Sequence, residues 1–184
     1  MVRADASVFK TKLLSPAKPA AGEAWAFLML TKAASAKLPR RGRTSVTGTL
    51  NGHPFVATLE PDGQLSHWLR VSPALQKAAQ AEVGRVVTVH IAPADPEPEP
   101  RVPDDLQRAL AASPAARATW EATTTLPRVD WVHWIESAHQ AKTRKRRVET
   151  ACDMLASGEK RVCCFDPSGF YSKSLRAPVA ADAL

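Results

Sequence analysis

Residues 131–155, WVHWIESAHQAKTRKRRVETACDML, decide how this chain is divided. It is the longest run with helical periodicity, and neither proline nor glycine interrupts it. One residue every 100° places Trp134, Ala138, Ala141, Val148, Cys152 and Leu155 on one side, which predicts a single long helix with a buried stripe. Five of the six residues Lys142–Arg147 are cationic, yet they point different ways. Lys142 and Arg146 fall on one flank, Arg144 and Arg147 on the other. Lys145 falls within the stripe and has to snorkel toward Glu149, one turn on. Arg144, at the edge of the stripe, needs a carboxylate, a carbonyl or a ligand, because an unpaired charge near packed neighbours is costly. Arg144 and Arg147 are therefore singled out from the basic run.

Outward from this stretch the composition changes twice. Upstream, APADPEPEPRVP (residues 92–103) is proline-rich and acidic, and it reads as an extended linker. Between linker and helix, Asp104 or Asp105 can cap a helix to about Ala112. Ser113-Pro114 opens another to about Thr123, Leu126-Pro127 reads as a break, and Asp130 can cap the long helix. Downstream, Gly158 suits a helix C-terminus, and residues 159–184 form a tail without sustained period, read as partly disordered.

Residues 1–91 carry β patterning. Val46, Gly48 and Leu50 alternate before Asn51-Gly52, and Phe55, Ala57 and Leu59 alternate after it. Alternating runs around Asn-Gly predict a β-hairpin with a type I′ turn. Phe9–Leu14, Trp25–Leu30, Ser66–Val71 and Val86–Ile91 supply four more short strands, and Pro73–Ala81 a short helix. The fold expected is α+β: a small N-terminal β-barrel of about six strands with a short helix (1–91), the linker, and a C-terminal helical domain (104–158).

The chain has 184 residues, a formal net charge of +7 and a pI near 9.7, which favours anionic partners without choosing among them. No apolar run is long enough to span a membrane, and MVRADASVFKTKLL lacks the apolar core of a secretory signal, so the expected location is cytoplasmic. Cys152 and the vicinal Cys163 and Cys164 make neither a disulfide framework nor a zinc set. His133, Glu136 and His139 do not share one helix face, so no metal site is assigned. No phosphate loop, dinucleotide fingerprint or nucleophile elbow occurs, and no catalytic residue or cofactor is assigned. Arg40, Arg41 and Arg43 flank Gly42 just before the hairpin, as an anion-binding loop or a solvated basic loop.

The segment WIESAHQAKTRKRRVETACDMLASG (134–158) resembles the C-terminal helical motif of the YdeI/OmpD-associated, or bacteriocin-protection, family. The corresponding residues are Trp134-Ile135, Ala138, Thr143-Arg144 and Arg147; the lysine usual after that alanine is His139 here. Arg41-Gly42-Arg43, Val46, Gly48, Asn51-Gly52, Phe55, Leu69, Val71 and Gly84 resemble the small β-barrel domain of unknown function that commonly precedes it. Val102-Pro103-Asp104 and Leu110 resemble the connector. The resemblance implies the two-part fold and a role in stress protection or resistance to toxic peptides, and it carries no catalytic residues. Candidate ligand-binding residues are Arg144, Arg147, Thr143, Arg41, Arg43 and Trp134. The function expected is a non-enzymatic binding protein for an unknown anionic small molecule or protein surface. Nucleic-acid binding through the spread basic charge, and a small-molecule or thiol enzyme, are the alternatives.

Overall fold

A computed structural model describes residues 6–18 and 24–183. They fall into two compact units, one within Met1–Pro96 and Ser168–Leu184, the other Glu97–Pro167.

The first unit is a nearly closed six-stranded antiparallel barrel. Its strands are β1 (Ser7–Lys12), β2 (Ala26–Met29), β3 (Thr44–Leu50), β4 (His53–Pro61), β5 (His67–Val71) and β6 (Val86–Pro93), in the order β1-β6-β3-β4-β5-β2. The two ends of the sheet meet at a bridge in which Leu14 and Phe27 exchange backbone hydrogen bonds of 2.8 and 2.9 Å. Closure leaves little unpaired edge. The β3–β4 hairpin turns at Asn51 and Gly52, whose φ values of 47° and 86° are those a type I′ turn demands. Asn51 also ties the turn down, with Nδ2 donating to Ala79 O and Oδ1 accepting from Thr88 N.

Alternation fills the barrel. Val46 and Leu50 of β3, Leu59 of β4, Leu69 and Val71 of β5, and Val87, Val89 and Ile91 of β6 are buried together. Between Val46 and Leu50, Gly48 lies so close to β6 that a Cβ would collide with the His90 carbonyl. Two short helices decorate this unit. α1 (Lys32–Ala36), absent from the sequence reading, is capped by Thr31, and α2 (Pro73–Ala78) is capped by Ser72 with proline in its first turn.

The chain returns to the barrel after residue 167, a path with no counterpart in the sequence reading. Ala17 N donates to Val179 O (2.7 Å), Ala181 N donates to Ser15 O (2.9 Å), and Pro16 bridges Ala180. A Cβ on Gly63 would strike the Leu175 carbonyl, so the tail lies directly over the β4–β5 turn.

The second unit holds α3 (Asp104–Ala112), α4 (Pro114–Glu121), α5 (Thr125–Glu136) and α6 (Ala141–Ala156). Here the single long helix expected over 131–155 is corrected: it is two helices, broken at residues 137–140. Ser137 ends α5, its hydroxyl donating to Trp134 O (3.0 Å), and Gln140 is extended at φ −114°, ψ 139° before α6 begins. α5 also starts earlier than expected, at Thr125. Pro127 sits in its first turn, where no intrahelical N–H donor is required, so it does not break the helix. The buried stripe changes accordingly: Val148, Ala151 and Leu155 are buried on α6, and Ala141 is exposed. These residues pack with Leu106, Leu110, Ala116, Trp120, Trp131, Val132 and Ile135 into one core. Gly158 follows α6 at φ 93°, the left-handed C-terminal position expected of it. No described helix is long and apolar enough to cross a membrane.

Candidate functional site

α3 opens with Asp104 and Asp105, acidic residues in a first turn where the helix dipole favours them. Arg144, in the first turns of α6, meets Asp105 with a two-pronged grip: Nε donates to Oδ2 at 2.6 Å and a terminal nitrogen donates to Oδ1 at 3.0 Å. Leu106 N also donates to Asp105 Oδ1 (3.0 Å). The Arg144 hydrogen bonds hold the Asp105 carboxyl below the usual carboxylate range, and the same pairing raises the Arg144 guanidinium above its ordinary value. Both side chains remain about one third exposed (32% and 31%), so water screens the pair.

This pair floors a cleft of about 480 Å³ within the helical unit. Around it stand Arg101, Pro103, Asp104, Arg108 and Glu136. Arg101 and Arg108 are exposed, and neither makes a side-chain hydrogen bond or ion pair among the described residues. Arg108 was legible in principle: it follows Asp104 by four residues, so the two share a face of α3. Arg101, in the linker, gave no such signal.

Arg147 has a different task. Its guanidinium stacks over the Trp134 ring at 5.4 Å, donates to the Trp134 carbonyl, and donates to Ser137 Oγ at 2.9 Å. Burial pulls its pKa down from the ordinary arginine value, with Arg146 a further cause. It therefore satisfies the carbonyl end of α5 just where that helix stops. The same device recurs one helix earlier. Arg128 stacks over Trp120 at 5.6 Å and donates to the Trp120 carbonyl (3.1 Å) and the Glu121 carbonyl (2.9 Å), while Glu99 pairs with it at 2.9 Å. Trp134 is half-buried, edge-on to the buried Trp131 at 5.9 Å. Thr143 is half-buried in the first turn of α6. Arg146 is exposed, and Lys145 reaches Glu149 at 4.0 Å as an exposed pair.

Arg41 and Arg43 belong to the barrel unit. Arg41 is exposed and donates to Leu65 O (2.8 Å); Arg43 Nε lies 3.0 Å from Glu60, with side chains 17% and 26% exposed. Beneath them, His67 is fully buried on β5, with Nε2 3.0 Å from the Gly42 carbonyl and Nδ1 2.8 Å from Ser35 Oγ. Neutral His67 fits both contacts if Nε2–H donates to Gly42 and Nδ1 accepts from Ser35. The basic loop is thereby pinned through its glycine, a tie the sequence did not disclose. The histidines of α5 serve other ends: His133 is buried against Phe165 (5.5 Å, edge-on), and His139 is exposed between α5 and α6.

Residues 99–158 match the family described as Bacteriocin-protection, YdeI or OmpD-Associated. Residues 9–91 match the Domain of unknown function (DUF1905). Along the chain the DUF1905 match comes first and the YdeI/OmpD-associated match follows it. The YdeI/OmpD-associated segment takes in all four helices of the second unit, including the cleft and both arginine–tryptophan caps. The DUF1905 segment takes in the six strands, apart from the outer ends of β1 and β6. Comparison with curated proteins gave no match.

Proposed function

We propose that the protein is a non-enzymatic, cytoplasmic binding protein with a protective role, and that its YdeI/OmpD-associated unit takes an anionic group in the cleft beside the Arg144–Asp105 pair. The observation that carries this reading is the division of labour among the cleft arginines. Arg144 is engaged by Asp105, whereas Arg101 and Arg108 line the same cleft exposed. Two such guanidinia suit a carboxylate or phosphate, which accepts paired hydrogen bonds from a planar donor. Arg147 and Trp134 fix the end of α5, the helix whose Glu136 lines the cleft. The family's bacteriocin-protection description supports the protective role.

A thermal-shift series tests the proposal. Inorganic phosphate, a dicarboxylate, an acidic peptide and a short RNA are each titrated against chloride at equal ionic strength, since only saturable binding to the native state raises Tm beyond the salt effect. The expected result is a saturable rise with one class, abolished in Arg101→Ala/Arg108→Ala and kept in Arg41→Ala. No saturable rise with any class, or one that survives in the double variant, overturns it. A rise with RNA alone would move the function to nucleic-acid binding.

A further inference from the structure

Outside both family segments, Cys163 and Cys164 follow α6 as adjacent, exposed, free thiols with their sulfurs 3.0 Å apart. That proximity is not the default for neighbours. Successive side chains on extended backbone point to opposite sides. Here Cys164 takes φ 57°, the left-handed region rarely used by residues other than glycine, and the alternation is broken. The flanks are fastened on both sides. Val162 packs on the helical core, Phe165 lies edge-on to the buried His133, and Trp131 Nε1 donates to Lys160 O (3.3 Å). The thiols are thus presented together by an anchored segment.

From this arrangement we infer that Cys163 and Cys164 form a chelating site for trivalent arsenic carrying one organic substituent. Thiol sulfur is the soft ligand such a centre prefers. A pyramidal three-coordinate centre needs only two sulfurs beside its organic group. Tetrahedral zinc needs more ligands, and no group of three His, Cys, Asp or Glu among the described residues is placed to hold a metal. A direct S–S bond fits less well. Adjacent α-carbons lie roughly 3.8 Å apart across a trans peptide, short of the roughly 4.4–6.8 Å span of ordinary disulfides, so the small ring is strained. Inserting one atom between the sulfurs relaxes it.

The chemistry is a condensation. An organoarsenous acid, R–As(OH)₂, exchanges two As–O bonds for two As–S bonds. Each thiol proton leaves with a hydroxyl as water, and arsenic stays trivalent. No oxidant, reductant or other reactant is required.

The test uses the reduced full-length protein with phenylarsine oxide, read by intact-mass spectrometry. Wild type is expected to carry one phenylarsenic, to hold it against excess glutathione, and to release it to 2,3-dimercaptopropanol. Cys163→Ser and Cys164→Ser each lose retention by about 100-fold, the gain two linked thiols give over one. Cys152→Ser, altering the half-buried thiol on α6, retains wild-type behaviour. The site is rejected if glutathione strips the wild-type adduct, if either single variant at 163 or 164 retains it, or if wild type is recovered as an arsenic-free disulfide. None of these outcomes depends on the cleft.

Discussion

Arg147 stacks on the ring of Trp134 and donates to the backbone carbonyl of that same residue. One side chain thereby fixes a tryptophan and closes the end of its helix. A lysine reproduces the charge but neither the planar stack nor the two-way donation to Trp134 O and Ser137 Oγ. Arg147→Ala should lower stability by about 1–3 kcal/mol, as when charge-assisted bonds to buried acceptors are lost. Arg147→Lys should recover less than half of that, while Arg146→Ala should change stability by less than about 0.5 kcal/mol. Urea denaturation followed by tryptophan fluorescence measures all three; equal losses at 146 and 147 would remove the distinction between the two flanks.

The Arg144–Asp105 grip is predicted to be weaker than its geometry suggests, because a third of each side chain meets water. Arg144→Ala and Asp105→Ala should each cost about 1–2 kcal/mol, with a coupling of about 1 kcal/mol in the double-mutant cycle. The pH dependence has a definite sign. Asp105 titrates lower in the folded chain than in the unfolded one, so its contribution is complete above the unfolded value, roughly 3.9, and is lost as pH falls through the folded value. The stability gap between wild type and Asp105→Asn should therefore be constant near neutrality and shrink in acid. A gap that widens in acid would contradict the pairing.

His67 acts at milder pH. Burial lowers its pKa, so below about 6.5 the unfolded chain binds a proton that the folded chain resists, and stability falls as pH drops from there toward the folded value. Denaturation midpoints at pH 7.5 and pH 5 should show this loss in wild type. His67→Gln should be less stable at pH 7.5 but show a smaller change between the two conditions. An equal pH dependence in both proteins would place the titration elsewhere.

Ending the chain after Pro167 should destabilise the barrel unit. The deletion removes the Pro16–Ala180 bridge and its two flanking hydrogen bonds, and uncovers the β4–β5 turn beneath Leu175. Lys12→Ala, which removes only the exposed contact to Asp182, should have no measurable effect. Hydrogen exchange in β2 and β5 distinguishes these variants: faster exchange is expected in the truncation alone.

The barrel was legible because its signals are local. Asn51-Gly52 specifies its own turn, and alternation on either side specifies which face goes inside. The break between α5 and α6 was not legible, because residues 137–140 (SAHQ) contain no proline or glycine. What ends α5 is a hydrogen-bonded serine and an arginine ten residues on, a tertiary choice that overrides a continuous helical period. The helical wheel still separated Arg144 and Arg147 from Arg146, since angular position survives a modest error in helix bounds. It could not name Asp105, 39 residues earlier, or the pinning of Gly42 by His67, because long-range partners leave no periodicity to read. The return of the tail was hidden likewise: RAPVAADAL (176–184) has no pattern of its own, and the contacts of residues 179–181 are to the backbone of residues 15–17, far away in sequence.

That return has a mechanical consequence. Described segments near both ends of the chain, β1 and the 179–183 stretch, are fastened into the barrel, and the helical unit occupies the interval between them. A force applied to the two ends must first open the Pro16–Ala180 bridge, two hydrogen bonds that unzip one after the other, before any tension enters residues 97–167. The bridge acts as a clasp in parallel with the helices, and stretching should reveal an early, weak event before which the four-helix core bears no load.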